Sequence, residues 1–226
     1  MSKRNFFFLF TLLPLGTFSQ FDEVDDKYRE DQIYINFYYN SLNNTPEDLS
    51  QNKFSSTLSF GFIRDLPINK NRNFGFGIGL GFSKGSHNNN YRITKSNNNF
   101  QIDAISDLNN FKKNKWTLNQ IEIPLEIRWR TSSPTTYKFW RIYTGIKTSY
   151  LIGSKSKFTS DLENESLSNL PFNKLQHSLT LNLGNNTWNV GLFLGLTPLF
   201  NEEFAEKYQN IKNVKPFKVG LVFYIL

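Results

Sequence analysis

Seven charged residues occupy alternate positions in segments that otherwise have the pattern of β-strands, and they are the first candidates for chemistry. They are Glu122, Glu126, Arg128, Arg130, Arg141, Lys147 and Lys218. Alternate residues of a strand share one face, so these charges are expected to point into a common interior. An enclosed charge is costly unless it is paired. We therefore predict that Glu122 and Glu126 form salt bridges with one or another of three basic residues, Arg128, Arg141 or Lys147. The alternative is that the charges merely line a water-filled interior.

The residues that usually carry catalysis are scarce. The chain contains no cysteine, which excludes a thiol nucleophile, a thiolate metal site and a disulfide framework. Its two histidines are His87, in a predicted loop beside Ser86, and His177, near one end of a predicted strand. Neighbouring side chains such as Ser86 and His87 rarely face each other productively, so the pair is a poor catalytic dyad. We predict no catalytic site, no cofactor and no small-molecule substrate.

Two further motifs resemble ligand sites only superficially. Gly75, Gly77, Gly79 and Gly81 alternate with apolar residues inside one strand, whereas a dinucleotide-binding glycine motif joins a strand to a helix. The stretch 20–30 contains five acidic residues, but it lacks the ligand spacing and the glycine of a calcium loop. We therefore predict no metal site.

Large apolar residues alternate with small or polar residues in eight segments of the chain. These segments lie within residues 32–40, 54–62, 74–83, 121–130, 140–152, 175–183, 188–197 and 217–225. A period of two is that of a β-strand, and no apolar stripe with a helical period competes with it. Strands of about nine to fourteen residues, in an even number, match barrels that span a bilayer. The pattern predicts an all-β fold, an eight-stranded antiparallel up-and-down transmembrane β-barrel of the outer-membrane type.

The apolar faces of these strands are too bulky for a barrel interior. An eight-stranded lumen is only just wide enough for side chains to fill, and the opposite faces carry mostly Gly, Ser, Thr and Asn. We therefore predict that the apolar faces contact outer-membrane lipid. A soluble lipocalin-like barrel with its apolar face inside is the alternative. The inner-wall glycines 75, 77, 79 and 81 are expected to make room for long side chains from segment 121–130, which would plug the lumen.

Long connections alternate with short ones along the chain. The long ones are 41–53, 85–115, 155–174 and 201–215, and the short ones are 64–73, 131–138 and 185–186. Outer-membrane barrels have long external loops and short periplasmic turns, so both termini are predicted to be periplasmic. Turn-forming residues support the short connections: Asp65-Leu66-Pro67, Ser133-Pro134 and Asn185-Asn186. The long connections are predicted to be loops with mobile Asn-rich tracts, and the basic residues of 84–115 to be solvated.

Aromatic and N-terminal features agree with this location. Trp129, Trp140 and Trp188 lie beside short connections and are predicted to form a girdle at the periplasmic interface. Residues 1–19 have the pattern of a cleaved signal peptide, with an uncleaved anchor as the alternative. Residues 20–30 form an acidic N-terminal periplasmic segment, and residues 31–226 form the barrel. The acidic segment is expected to be a solvated leader or, alternatively, to fold against a basic mouth made of four arginines: Arg64, Arg72, Arg130 and Arg141.

Composition and the distribution of charge argue against two broad classes of protein. Aromatic residues make up 16% of the 226 residues, far too many for an intrinsically disordered chain. The formal net charge of +7 is compatible with nucleic-acid binding, but the basic residues are spread over predicted turns, loops and lumen. We therefore predict no nucleic-acid partner.

The segment Ile121–Arg130 (IEIPLEIRWR), followed by Thr131–Pro134 and Tyr137–Gly145, resembles the PorT family of outer-membrane barrels. Residues 61–69 and 217–221 are similar as well, so the resemblance extends over nearly all of the chain after the signal peptide. It implies an eight-stranded barrel with a filled lumen, associated with the type IX secretion machinery. That machinery moves cargo with C-terminal sorting domains across the outer membrane. The resemblance implies no catalytic residue.

The sequence and the resemblance together predict an integral outer-membrane barrel that is not an enzyme. We predict that it acts as an accessory or assembly component of type IX protein secretion, with other components of that system as partners. One alternative is a general structural or adhesion barrel with no export role. Another is an outer-membrane enzyme with catalytic groups at the external rim.

Overall fold

A computed structural model describes residues 31–51, 53–97, 99–105, 111–132, 139–186 and 188–225. The predicted signal peptide (1–19), the acidic segment (20–30) and the Ser133-Pro134 turn lie outside these residues. The described strands are β1 (Gln32–Asn43), β2 (Ser56–Pro67), β3 (Phe74–Asn88), β4 (Tyr91–Ser96), β5 (Asn99–Ala104), β6 (Lys113–Arg130), β7 (Trp140–Thr159), β8 (Asn164–Ser168), β9 (Leu175–Asn185), β10 (Trp188–Gly195) and β11 (Lys215–Ile225). The helices are α1 (Glu202–Lys207) and the short 3-10 helix η1 (Gln209–Ile211).

Eight of these strands form a closed barrel. The ring runs β1-β2-β3-β6-β7-β9-β10-β11, and every neighbouring pair is antiparallel. The first and last strands close it, with Ile33 opposite Ile225 at one end of the pairing and Asn43 opposite Lys215 at the other. The predicted eight-stranded antiparallel barrel is confirmed.

Large apolar side chains cover the outside of the barrel. On β6, for example, Ile121, Ile123, Leu125 and Ile127 are exposed, and the residues between them are buried. The exposed set recurs on every barrel strand, and we call it the apolar belt. A polypeptide in water would not leave a continuous apolar wall exposed, so the belt is the surface that contacts lipid. The lipocalin-like alternative required the opposite orientation and is wrong.

The predicted loops at the end of the barrel away from the chain termini are instead folded. Strands β3, β6 and β7 continue beyond the apolar belt, and the β4–β5 hairpin, β8, α1 and η1 pack around these extensions. Helix α1 begins after Asn201, whose side chain accepts a hydrogen bond from the backbone of Phe204. We call this assembly the lobe. The prediction of loops over 85–115, 155–174 and 201–215 is therefore wrong for most of their length.

The alternation of apolar and polar residues along β6 reverses where the strand enters the lobe. In the belt, inward positions of β6 are polar and outward positions are apolar. In the lobe, inward Trp116 and Leu118 are buried, whereas outward Lys113 and Lys115 are partly exposed. The cause is the surroundings, because this part of the strand has water outside and a protein core inside. The tract around His87 is likewise buried rather than solvated.

The short connection after β2 also differs from the prediction. Asp65-Leu66-Pro67 is the end of β2 and pairs with β3, so it is not a turn. The chain reverses within 68–73, where the backbone N–H of Ile68 donates to the carbonyl of Phe74 at 3.0 Å. Arg72 takes the left-handed conformation there, with φ of 53°. No helix in the described part of the chain is long and apolar enough to cross a bilayer.

Candidate functional site

The lumen contains an ion pair between two neighbouring strands. The Lys147 ammonium of β7 donates to the Glu122 carboxylate of β6 at 3.0 Å, and both side chains are buried. Both point inward because the belt register places every second residue of β6 and β7 in the lumen. Lys147 also lies 5.6 Å from the ring centre of Tyr34 on β1. The pair therefore bridges β6 and β7, and Lys147 reaches toward the opposite wall.

A second cluster fills the lumen at the end that carries the chain termini. Arg130 donates two hydrogen bonds of 2.8 Å to the two carboxylate oxygens of Asp65, in a bidentate arrangement. Arg128 lies between carboxylates, 3.3 Å from Asp65 and 3.0 Å from Glu126, and donates to the Gln32 side chain at 3.1 Å. Asp65 is fully buried. Asp65 has the sequence context of a turn but lies in β2, so the carboxylate that joins both arginines was not predicted.

The other two charges of the predicted set contact aromatic rings instead of carboxylates. Arg141 is buried and lies 4.5 Å from the ring centre of Phe139 and 5.4 Å from that of Tyr224. Among the described residues it has no salt bridge, so of the three alternative partners predicted for the glutamates only Arg128 and Lys147 pair with them. Lys218 lies 4.2 Å from the ring centre of Phe193 on β10. Cation–π contacts of this kind stabilise desolvated cations.

Side chains from three strands occupy the space left by the glycines of β3. A Cβ atom at Gly81 would lie 2.0 Å from the Tyr34 hydroxyl, and one at Gly77 would lie 2.6 Å from Nε of Arg128. Gly79 faces Ile63 of β2 in the same way, at 2.7 Å. Segment 121–130 thus fills only part of this space. Gly75 differs from the other three, since its nearest neighbours are backbone atoms of β2.

Aromatic side chains close the remainder of the lumen. Tyr34, Tyr38, Tyr143 and Tyr224 belong to one buried cluster in the middle of the barrel, and the rings of Tyr143 and Tyr224 meet edge to face at 5.5 Å. The space left between Tyr34, Tyr38 and Lys147 is about 10 Å³. Such a volume holds roughly one water molecule. Among the described residues, the middle of the lumen is therefore filled by side chains.

The lobe closes the other end with an apolar core. Trp116 is fully buried, and its ring contacts those of Phe172 at 6.0 Å and Phe200 at 5.6 Å. At the rim of this core the Tyr91 hydroxyl donates to the Asp48 carboxylate at 2.7 Å. Burial, together with this carboxylate, raises the pKa of Tyr91 to about 12. The barrel is thus filled by charges and tyrosines within the belt and covered by a packed core beyond it.

The three predicted girdle tryptophans all lie at the end with the chain termini. Trp140 and Trp188 both pair with Asn185, and Trp129 lies opposite Phe74 at the start of β3. All three side chains are on the outer surface, with Trp140 and Trp188 about two-thirds exposed. A ring of tryptophan at one edge of an apolar belt is typical of a membrane–water interface.

The residues weighed for catalysis do not converge. Ser86 and His87 lie in β3, not in a loop, and neighbouring strand residues point to opposite faces. His177 lies on the outer surface, where its ring nitrogen Nδ1 is 3.1 Å from the Thr148 hydroxyl. Within the described ranges, no three His, Asp or Glu side chains are grouped closely enough to hold a metal ion.

Of the three comparisons with known proteins, the match to a family model agrees with the architecture. No curated protein matches the chain significantly. Among solved structures, the crystal structure of Ail, the attachment invasion locus protein of Yersinia pestis, is similar at 12% sequence identity, with a TM-score of 0.37 over 86% of this chain and 96% of that chain. The model of the outer membrane protein beta-barrel domain family matches residues 18–201. Because that match covers most of a chain whose eight strands close inside an apolar belt, the protein belongs to the outer membrane protein beta-barrel domain family and is integral to the bacterial outer membrane.

Proposed function

We propose that this protein is a non-enzymatic, non-conducting barrel that anchors a scaffold for type IX protein secretion. The observation that carries the proposal is the filled lumen, because a barrel packed with paired charges and tyrosines has no path for a substrate. Its useful surfaces are then its two ends. The resemblance of residues 121–130 to the PorT family supports the link to type IX secretion.

Planar-bilayer recording tests the non-conducting lumen. The full-length protein, reconstituted at increasing amounts, should give no stepwise current at voltages where a reconstituted general porin conducts. The porin serves as the positive control for insertion and recording. Large, reproducible open-channel steps from the purified barrel would refute the plugged lumen, whatever its role in secretion.

We further propose that both termini and the short connections are periplasmic, so the lobe lies on the cell surface. Because the chain contains no cysteine, this topology can be tested by labelling variants that carry a single introduced cysteine. Ser96 lies in the β4–β5 hairpin of the lobe and Asn71 in the connection after β2, and both are exposed. In intact cells, a membrane-impermeant maleimide should label Ser96→Cys and should label Asn71→Cys only after lysis. The reverse pattern would invert the topology.

Gene deletion tests the secretion role. Loss of a type IX scaffold should block export of many proteins with C-terminal sorting domains at once, and the plasmid-borne gene should restore it. Intact export together with reduced surface attachment would instead identify an adhesion barrel.

For an enzyme acting through His87, the variant His87→Ala would lose an activity that the wild type shows. Affinity purification of the tagged protein from outer membranes should retain other type IX components.

The domain division belongs to the same proposal. Residues 1–19 would direct export and be removed, residues 20–30 would remain as an acidic periplasmic segment, and residues 31–226 would form the barrel. N-terminal sequencing of the protein purified from outer membranes should begin at Gln20. Retention of Met1 would support an uncleaved anchor.

A further inference from the structure

Five lysines form a patch on the outer wall just beyond the apolar belt. They are Lys84 on β3, Lys113 and Lys115 on β6, and Lys155 and Lys157 on β7. All five occupy outward positions on three adjacent strands, where those strands continue into the lobe. We call them the lysine patch. Their proximity was not predicted from the sequence, because the extensions of all three strands fell in segments predicted to be loops, 85–115 and 155–174.

The patch places like charges next to each other. Lys115 and Lys157 are direct cross-strand partners in the β6–β7 pairing. Like charges in this arrangement destabilise a sheet. Burial lowers the pKa of Lys115, which lies in the part of β6 beyond the apolar belt, and the nearby charges of Lys113, Lys84 and Lys157 lower it further. The fold therefore holds positive charges together that repel each other in the free protein.

The neighbouring carboxylates are engaged elsewhere. Glu163 and Glu165 both pair with Arg92 of β4, the latter at 2.7 Å. Asp161 pairs with Lys112. In the described parts of the chain, none of the five patch lysines has a salt bridge to a carboxylate. An external anion would relieve their mutual repulsion.

The position of the patch identifies the kind of anion. On β3, Lys84 comes two residues after the lipid-facing Phe82, and on β7, Lys155 follows the exposed Ile152. With the usual rise and tilt of barrel strands, the lysines lie from about 5 Å beyond the belt for Lys84 to about 20 Å for Lys113. Lipid headgroups occupy the layer immediately outside the hydrocarbon core. The spread in height suits a headgroup that carries more than one phosphate.

We propose that the lysine patch binds the phosphate groups of a multiply phosphorylated lipid in the leaflet that surrounds the lobe end of the barrel. The acyl chains of this lipid would pack on the apolar belt below the patch, including Phe82 and Ile152. Lysine is suited to this role because its long apolar stem lies along the wall while its ammonium reaches the phosphate. The lipid would thereby also neutralise the repulsion between Lys115 and Lys157.

Lipid titration of the purified full-length protein in neutral detergent micelles tests this site. The probe is fluorescent diphosphoryl lipid A, compared with its monophosphoryl and fully dephosphorylated forms. The test variant is Lys84→Gln/Lys115→Gln/Lys157→Gln. The matched control, Lys70→Gln/Lys95→Gln/Lys212→Gln, removes three exposed lysines outside the patch. Each basic residue near a lipid surface contributes about fivefold in affinity, so the test variant should bind roughly 100-fold more weakly than the wild type.

The control variant should bind like the wild type, and high salt should abolish the difference between test and control. Affinity should fall in the order diphosphoryl, monophosphoryl, dephosphorylated. Equal affinity for the three lipids, or equal loss in both variants, would overturn the proposal. So would a free inorganic phosphate or an acidic peptide that competes as strongly as the lipid, since the site would then recognise soluble anions. Heat-modifiable migration of each variant verifies that its barrel is folded, and Lys84→Gln/Lys155→Gln is a milder second variant.

Discussion

Replacing Asp65 with asparagine removes a buried carboxylate that contacts both Arg128 and Arg130. Asparagine has the same shape and keeps one acceptor oxygen, but it loses the negative charge and one of the two 2.8 Å bonds to Arg130. Both partners are essentially fully buried, so water does not replace the lost interaction. Removing one partner of a buried ion pair typically destabilises a protein by about 3–5 kcal/mol. We expect Asp65→Asn to lower the free energy of unfolding by that amount.

Urea unfolding of the barrel in detergent micelles measures this change, with tryptophan fluorescence as the signal and reversibility verified by refolding. The matched control is Asp161→Asn. Asp161 pairs with Lys112, but the two side chains are 80% and 65% exposed. An exposed pair contributes at most about 1 kcal/mol, so the control should unfold almost like the wild type. If Asp65→Asn also stayed within about 1 kcal/mol of the wild type, the ion pairs of Asp65 with Arg128 and Arg130 would not hold this end of the lumen together.

Three further predictions concern the wall and the lumen. Gly81→Ala should destabilise the barrel by about 1–3 kcal/mol in the same urea assay, because its Cβ would meet a tyrosine hydroxyl at 2.0 Å. Gly153→Ala should be nearly neutral, since its nearest neighbour is 3.7 Å away. Glu122→Gln should lower the free energy of unfolding by about 3–5 kcal/mol, because it leaves the Lys147 ammonium buried without its partner. Adding Lys147→Met should restore most of that stability, since no charge is then left unpaired. If the double variant were no more stable than Glu122→Gln, the ion pair would be contradicted. Leu125→Arg, in the middle of the apolar belt, should reduce stability in lipid vesicles by about 2–4 kcal/mol, and a neutral result there would contradict the lipid-facing orientation.

The barrel could be predicted because one physical signal dominates it. Between Ile121 and Trp129 every second residue is large and apolar, since each faces lipid, and the same alternation marks all eight strands. Strand number, order and the closure of β1 on β11 follow from that pattern and from the short connections. The inward orientation of the seven charges named in the sequence analysis followed as well, because parity along a strand decides the face.

The lobe could not be predicted by the same argument. Beyond the belt the outer surface faces water, so alternation in β6 becomes apolar inside and polar outside, as Trp116 and Lys115 show. The segments are short, and their apolar residues pack against partners far away in the sequence, such as Phe172 and Phe200. No local sequence pattern predicts contacts between residues so far apart in the chain. The Asn-rich tracts around them therefore had the composition of loops.

Asp65 was missed for a different reason. Asp-Leu-Pro is a common turn composition, and that local signal outweighed the register of β2. Parity alone would have corrected it, because Ile63 and Asp65 share the inward face of β2. With Asp65 on the inward face, the sequence would have offered a buried carboxylate as the partner of Arg128 and Arg130. Arg141 shows the limit of that reasoning, since its contacts among the described residues are with aromatic rings and not with an acid.

The uninterrupted passage of β3, β6 and β7 from the belt into the lobe has a mechanical consequence. A loop on a hinge can swing without disturbing the wall beneath it, but a hydrogen-bonded strand cannot bend independently of its neighbours. A force applied at the tip of the lobe is therefore transmitted directly to the strands of the barrel wall. A protein bound to that tip would be held at a fixed height above the bilayer and at a fixed rotation about the barrel axis. The orientation of the bound protein would therefore be set by the barrel itself.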